Sequence, residues 1–336
     1  MTVVVPNWNG AGLLRSCLES LFDQVFEDFE TLVVDNGSTD GSVEMLGSEF
    51  PEVRVVALKD NRGFSAAANL GVSESDSELV ALLNNDTRQD PDWLAALVRA
   101  ADAYPEAGSF ATKMLDLEKH GVMDGAGDAL RRSGLPYRLG HGETDRGHYE
   151  KPRPVFGACA AAALYRRDML ESVGPFDEDF FAYCEDTDLS FRAQLAGYTC
   201  RYIPEAVVYH LGGASSGGKR SPTATRLGTQ NGINLLVKNL PAPLFPRLAP
   251  FMVAGQFSRL AMTARNFTGL RANLAGYAGA LRLLPVMLRK RRAIQAGRKA
   301  PDEYISGLLR NSFRAANASM ARRLRDAVSR RLGWPG

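Results

Sequence analysis

Cysteine is scarce in this chain and poorly spaced for chemistry. Cys17, Cys159, Cys184 and Cys200 form no CxxC pair, so neither a zinc site nor a disulfide framework is expected, and the natural setting is a reducing compartment. Stability must then come from a core, which 336 residues are enough to bury. A secretory leader is not expected either, since Met1 runs directly into Thr2-Val3-Val4-Val5 without a basic start or a long apolar stretch. No run of about eighteen uncharged apolar residues occurs, because Arg259 and Arg282 interrupt the best stretches, and a membrane-spanning helix is not expected. These absences lead to a cytoplasmic expectation. Neither GxGxxG nor GxxxxGK(S/T) spacing is present, which argues against a dinucleotide fold and a P-loop enzyme. Acid is nearly absent from one end: residues 211–336 hold 22 Lys and Arg against only Asp302, Glu303 and Asp326, whereas residues 1–210 hold 18 basic and 35 acidic residues. The two parts are electrostatic opposites and should meet different partners.

What is present begins with short apolar runs alternating with helical periodicity. Thr2 to Val5 ends in Pro6-Asn7-Trp8-Asn9-Gly10, and Leu13, Leu14, Cys17, Leu18, Leu21 and Phe22 follow at helical spacing. Phe29 to Val34 repeats the pattern and breaks into Asp35-Asn36-Gly37-Ser38-Thr39-Asp40. Val53 to Leu58 leads to Asn61-Arg62-Gly63-Phe64 and an alanine-rich helix containing Asn69, and Glu78 to Leu83 forms a fourth run. Four strands alternating with helices predict a parallel, doubly wound sheet, with the Asn-, Asp-, Gly- and Ser-rich loops gathered on one edge. The fourth run stops on Asn84-Asn85-Asp86. An ordinary turn would explain three polar residues there, but at this edge of a sheet Asp86 is a candidate to hold a divalent cation, Mg2+ or Mn2+, against a nucleotide diphosphate.

From Phe110 to Pro154 the pattern weakens into a charged, glycine-rich excursion, where His120, His141 and His148 read as solvated loop residues. Small residues from Gly157 and Ala158 through Ala163 predict close backbone approach and supply the acceptor-side candidates. The segment Phe180-Phe181-Ala182-Tyr183-Cys184-Glu185-Asp186-Thr187-Asp188 places carboxylates in the first turn of a helix, where they complement its dipole. That explains Asp188, but Glu185 and Asp186 follow an aromatic run suited to raising a carboxylate pKa, and either is a candidate general base. Thr199 to Ile203 and Ala206 to Tyr209 read as two short strands. His210 follows, ahead of a Gly/Ser lid from Gly212 to Gly218, a position suited to a metal ligand.

Taken in order, Val-Pro-Asn-Trp-Asn-Gly (5–10), Val-Val-Asp-Asn-Gly-Ser-Thr-Asp (33–40), Asn-Arg-Gly-Phe with Asn69 (61–69), Asn-Asn-Asp (84–86), Phe-Asp-Glu-Asp-Phe-Phe with Glu-Asp-Thr-Asp-Leu-Ser-Phe-Arg (176–192) and His210 resemble the inverting GT-A-fold glycosyltransferases of family 2, especially a rhamnosyltransferase-like group. The resemblance covers about residues 1–215. It implies a GT-A fold, a Rossmann-like doubly wound mixed sheet, over residues 1–218, followed by a basic helical extension over 219–336. It implies that Pro6, Asn7, Asn9, Asp35, Asn36, Ser38, Asp40, Asn61, Arg62, Gly63, Phe64, Asn69, Asn84 and Asn85 frame a nucleotide-sugar donor. Asp86 falls on the metal-binding position, as the last carboxylate of a motif whose other residues are Asn84 and Asn85. Asp186 falls on the base, and His210 adds a metal contact. The QxxRW signature of processive synthases is absent after Asp186, which favours transfer of a single sugar, with dTDP-rhamnose among the donors implied and a lipid-linked or cell-envelope saccharide as acceptor.

In the basic third, Arg289-Lys290-Arg291-Arg292 beside Leu283, Leu284, Val286, Met287 and Leu288 has the composition of an interfacial helix on an anionic leaflet. Peripheral attachment to the inner face of the membrane is expected. The competing function is a non-catalytic nucleotide-sugar or nucleic-acid binder. It would use the same loops without needing Asp186, and an RNA binder would interleave stacking aromatics with a basic tract that here has few.

Overall fold

Period-two alternation gives the first strand two apolar faces. In β1 (Thr2–Asn7), Val3 and Val5 enter one core and Val4 the other, each fully buried. The computed structural model describes residues 1–213 and 221–332. Three further strands run parallel to β1: β2 (Glu30–Asp35), β3 (Arg54–Ala57) and β4 (Leu79–Leu83), interleaved with α1 (Ala11–Phe22), α2 (Ser42–Glu49) and α3 (Phe64–Ser73). After β5 (Thr87–Gln89) and α4 (Trp93–Ala103), the chain enters β6 (Ala107–Asp116), β7 (Met123–Ala126), β8 (Asp128–Leu130), β9 (Pro136–Arg138), β10 (Arg153–Val155) and β11 (Ala162–Arg166). It continues through α5 (Arg167–Val173), α6 (Glu185–Ala196) and β12 (Thr199–His210). The main sheet has the order β10-β12-β6-β11-β4-β1-β2-β3, with β5 paired to β12 and β7 to β6. It is mixed, because β11 is antiparallel to both β4 and β6.

Helices α1 and α4 cover one face, where Leu14, Leu18, Trp93 and Leu97 meet Val5, Val33 and Leu83. Helices α3, α5 and α6 cover the other, where Ala67, Met169 and Leu189 meet Val4, Val34 and Leu82. Two of the expectations change here. The stretch 110–154 is strand-rich rather than an excursion, and β6 lies deep in the sheet, its residues from Ala107 through Met114 buried. The two short strands after α6 are one, β12, with a register break between Ile203 and Val207 where Pro204 has no N–H to donate.

Four α-helices follow among the described residues: α7 (Pro222–Asn239), α8 (Phe245–Thr263), α9 (Phe267–Ala296) and α10 (Asp302–Leu332). None is long and apolar enough to cross a membrane. They share a core with the sheet domain, in which Phe156, Phe180, Phe191 and Leu195 meet Leu235, Leu240, Met287, Ile305 and Leu309. A buried ionic cluster joins the same elements. Lys238 reaches Asp177 at 2.5 Å and Asp188 at 2.8 Å, and Asn239 donates to Asp188 at 2.7 Å. Asp188 therefore does more than complement a helix dipole: burial would raise its pKa, but Lys238 and Arg192 hold it down at about 2. The basic run at 289–292 is divided. Lys290 pairs with Asp177 and Asp179, and Arg291 donates to the carbonyls of Val237 and Leu240. With Met287 fully buried as well, that cluster is partly a docking device rather than a continuous basic face. The expected boundary at 218 and the Ser215-to-Gly218 part of the lid lie outside the described residues.

Candidate active site

The carboxyl ends of β1, β2 and β4 carry a connected set of amides and carboxylates. Asn7 Nδ2 donates to Asp35 Oδ2 at 3.0 Å, Asn85 Nδ2 donates to Asn7 Oδ1 at 2.6 Å, and Ser38 N–H donates to Asp35 Oδ1 at 2.8 Å. Beyond β3, Asn36 Oδ1 accepts from Arg62 N–H at 2.9 Å while its amide reaches Asn61 Oδ1 at 3.1 Å. Asn9, at φ 49°, receives Thr39 N–H on its side chain at 2.8 Å. Pro6 and Asn84 lie on the same edge, where Asn84 N–H donates to Ala161 O at 2.8 Å. The predicted donor edge is thus largely one network.

Four of its expected members make other contacts. Asp40 accepts from Ala11 N–H at 2.9 Å and from the Ser42 hydroxyl at 2.5 Å, latching the starts of α1 and α2. Asn69 exchanges two hydrogen bonds with the backbone of Phe176, at 2.8 and 2.9 Å. Phe64 packs edge-on against Phe176 with ring centroids 6.1 Å apart, and Gly63 lies beneath Phe181. Short polar residues in loops close turns as readily as they hold ligands, and sequence spacing does not separate the two.

Strand pairing brings Asp86 and His210 together. β5 runs antiparallel to β12 with Thr87 opposite His210, so Asp86, one residue before Thr87, stands beside the imidazole. His210 Nε2 lies 3.3 Å from Asp86 Oδ1, and Gly212 N–H donates to Asp86 Oδ2 at 3.2 Å. The other ring nitrogen, Nδ1, is 2.7 Å from Asp124 Oδ2. Asp124 reaches it from a β-bulge: Met114 pairs with Gly125 and Leu115 with Met123, leaving Asp124 as the extra residue in β7. Bulges re-aim side chains in this way beside active sites. Arg138 crosses over Gly125, where any Cβ would come within 2.3 Å of its Cδ, and donates to Asp124 Oδ2 at 2.5 Å. Burial would raise Asp124, but the Arg138 guanidinium and the two imidazoles, His141 and His210, hold its carboxyl far below the usual range. His141, expected to be solvated, is 3.1 Å from Asp124 Oδ1.

This donor set fits a hard divalent cation. A carboxylate oxygen and an imidazole nitrogen converge, and a second carboxylate fixes the outer ring nitrogen, the usual support for a metal-bound histidine. Asp86 and His210 would be the protein ligands.

Arg138 also leads to the second half of the site. Its Nη2 donates to Cys159 Sγ at 2.8 Å, and its Nε lies 3.9 Å from Asp128 Oδ1. Ligand atoms of Asp128, Cys159 and Asp186 all lie within 4.8 Å of one another. A cation is unnecessary in that cluster because the guanidinium already supplies the positive charge. Asp128 is buried, and burial, followed by the charge of Asp186, pushes its pKa up to about 8. Asp186 itself is half-buried, with Oδ1 accepting from Thr187 N–H at 2.6 Å and Oδ2 from Ala160 N–H at 3.4 Å. Its neighbour Glu185 is buried, and desolvation together with the charge of Asp186 raises its pKa well above the carboxylate range.

The segment that leads into Asp186 is strained into place. Phe181, Tyr183 and Cys184 all have positive φ, at 61°, 72° and 68°. The buried Asn231 of α7 donates from Nδ2 to the carbonyls of Phe180, Ala182 and Tyr183 at 2.8, 2.9 and 2.8 Å. The acceptor-side candidates need correction. Gly157 and Ala158 are buried, and a Cβ on Gly157 would meet Ser190 Oγ at 2.1 Å. Their small size admits α6, which carries Asp186.

Comparison with known proteins agrees with this architecture. The sequence profile of the family described as Glycosyl transferase family 2 matches residues 2–174. The N-acetylglucosaminyl-diphospho-decaprenol L-rhamnosyltransferase of Mycobacterium tuberculosis is 30% identical over 239 residues, which cover 65% of this chain and 78% of that protein. The O-antigen biosynthesis protein RfbC of Myxococcus xanthus is 31% identical over 234 residues, 67% of this chain but only 18% of that much longer protein. Among solved structures, the mannosyltransferase PcManGT of Pyrobaculum calidifontis, in complex with GDP-Man and Mn2+, superposes with a TM-score of 0.53 at 19% identity, covering 94% of this chain and 85% of that one. The chain belongs to glycosyltransferase family 2 and has the GT-A fold.

Proposed function

We propose that the protein transfers a single sugar, with inversion, from a nucleoside diphosphate sugar to a lipid-linked or cell-envelope saccharide at the inner face of the membrane. The carrying observation is that Arg138 links two carboxylate stations, reaching His210 and Asp86 through Asp124 on one side and Asp186 through Cys159 and Asp128 on the other. Residues 1–218 form the transfer domain, and 219–336 form the extension that fixes its base segment. The amide network around Asn7, Asp35, Asn36 and Asn85 holds the nucleotide. A divalent cation, Mg2+ or Mn2+, would neutralise the diphosphate when bound by Asp86 and His210. Asp186 removes the proton from the acceptor hydroxyl as its oxygen attacks the anomeric carbon, and the bond to the departing diphosphate breaks on the opposite face. Glu185 is buried, and the half-buried Asp186 beside it takes that role.

A rhamnosyl donor such as dTDP-rhamnose and a lipid-borne acceptor are favoured by the named activity of the Mycobacterium relative. A panel of nucleotide sugars, each with and without Mn2+, tests this directly. The matching donor should raise the melting temperature by mass action and yield one product of inverted anomeric configuration. Stabilisation without transfer to any lipid-linked saccharide would favour a binding protein instead.

A further inference from the structure

The side of α9 turned away from the domain is apolar and basic. Ala272, Gly276, Ala280 and Met287 face inward and are buried. Seven-residue steps then place Phe267, Leu274, Leu281 and Leu288 along a single outer side, because seven residues make just under two turns. All four are exposed, Phe267 to 80% and Leu281 to 70%. Helix α8, tied to α9 by hydrogen bonds from Asn273 to Thr263 at 2.7 Å and from Tyr277 to Gln256 at 3.2 Å, buries none of its residues and exposes Phe257 and Met262. A solvated helical hairpin would carry polar groups at these positions.

Charge decides what covers this hairpin. Residues 206–301 contain no Asp or Glu. Arg271, Arg282, Arg289 and Arg292 are exposed on α9 beside the apolar stripe. Against the same face of a second copy of this chain, those arginines would meet arginines. A nucleic acid would leave the leucines without an apolar partner. An anionic lipid surface satisfies both components, since acyl chains receive Phe and Leu while phosphates meet Arg.

We propose that the outer face of the α8–α9 hairpin is a lipid-docking surface that sits in an anionic bilayer interface, with Phe257, Phe267, Leu274 and Leu281 inserted. This rests on the reading above that the acceptor is lipid-borne. Because α7, to which α9 is packed, also clamps the base segment through Asn231, docking at this face holds the transfer site at a fixed orientation to the bilayer.

The test uses the full chain and two vesicle compositions, phosphatidylcholine alone and equal parts phosphatidylcholine and phosphatidylglycerol. Wild type should sediment with the anionic vesicles and not with the neutral ones. The double variant Leu274→Ser/Leu281→Ser should bind at least about tenfold more weakly while keeping its melting temperature and its transfer to a water-soluble acceptor analogue. Wild-type failure to bind at low ionic strength, or equal binding by the double variant, overturns the surface assignment. A wild-type dimer that the double variant converts to monomer overturns it in favour of a second copy. If vesicle binding behaves as expected but no nucleotide sugar supports transfer, the surface stands and the transferase reading falls.

Discussion

Asp124 Oδ2 lies 2.7 Å from His210 Nδ1, a bond made only because a bulge in β7 turns Asp124 toward the end of β12. It fixes the ring so that Nε2 points at Asp86. Asp124→Asn should therefore weaken cation-dependent binding of a nucleoside diphosphate about 10–100-fold. Calorimetric titration with and without Mn2+ checks this, and the affinity measured without cation should be unchanged.

Asp128 produces a pH dependence of known sign. Its folded pKa, pushed up to about 8 by burial, stands above an unfolded value of about 4. Between those values the folded state binds more protons than the unfolded state, so stability falls as pH rises through that window. Asp128→Asn should flatten part of this fall, leaving the share that comes from Glu185. Urea midpoints of wild type and variant at about pH 5 and about pH 9 measure the difference.

The Lys238 ammonium is buried between Asp177 and Asp188, with a side chain only 3% exposed. Lys238→Met should destabilise the protein by about 3–5 kcal/mol, because it leaves two buried carboxylates short of a partner. Removing the exposed Arg15–Glu49 pair should change stability by less than about 1 kcal/mol. Denaturant midpoints decide both.

Asn231 should matter to turnover as well as stability. Asn231→Ala leaves three carbonyls without their shared donor, at a cost of about 1–3 kcal/mol, and releases the strained turn that aims Asp186. Turnover should fall while donor affinity, measured by calorimetry, stays near wild type.

The meeting of Asn7, Asp35 and Asn85 was legible in the sequence because open α/β sheets gather their loops at the carboxyl ends of the strands. Asp124 and Arg138 were not legible. They sit in a glycine-rich stretch whose strands are three or four residues long, too short for periodicity to register, and only a bulge and a glycine saddle bring them to His210. The Met-Asp-Gly-Ala-Gly run at 123–127 was the available signal. Asp40 and Asn69 have the right residue types for a ligand site, but they close turns and clamp backbone. The charge of the basic third was plain, yet its division into inward Lys290 and Arg291 and outward Arg289 and Arg292 depends on which side of α9 meets α7.

The base is the centre of this account, and paired amide substitutions test it most directly. Asp186→Asn preserves shape while removing basicity, and Glu185→Gln replaces a buried carboxyl whose pKa is raised by burial and by the charge of Asp186. With a matching donor and acceptor, turnover of Asp186→Asn should fall about 10²–10⁴-fold with donor affinity retained, while Glu185→Gln should stay within about tenfold of wild type. Near-normal turnover of Asp186→Asn beside collapse of Glu185→Gln would contradict the assignment and move the proton-accepting role one residue back along α6.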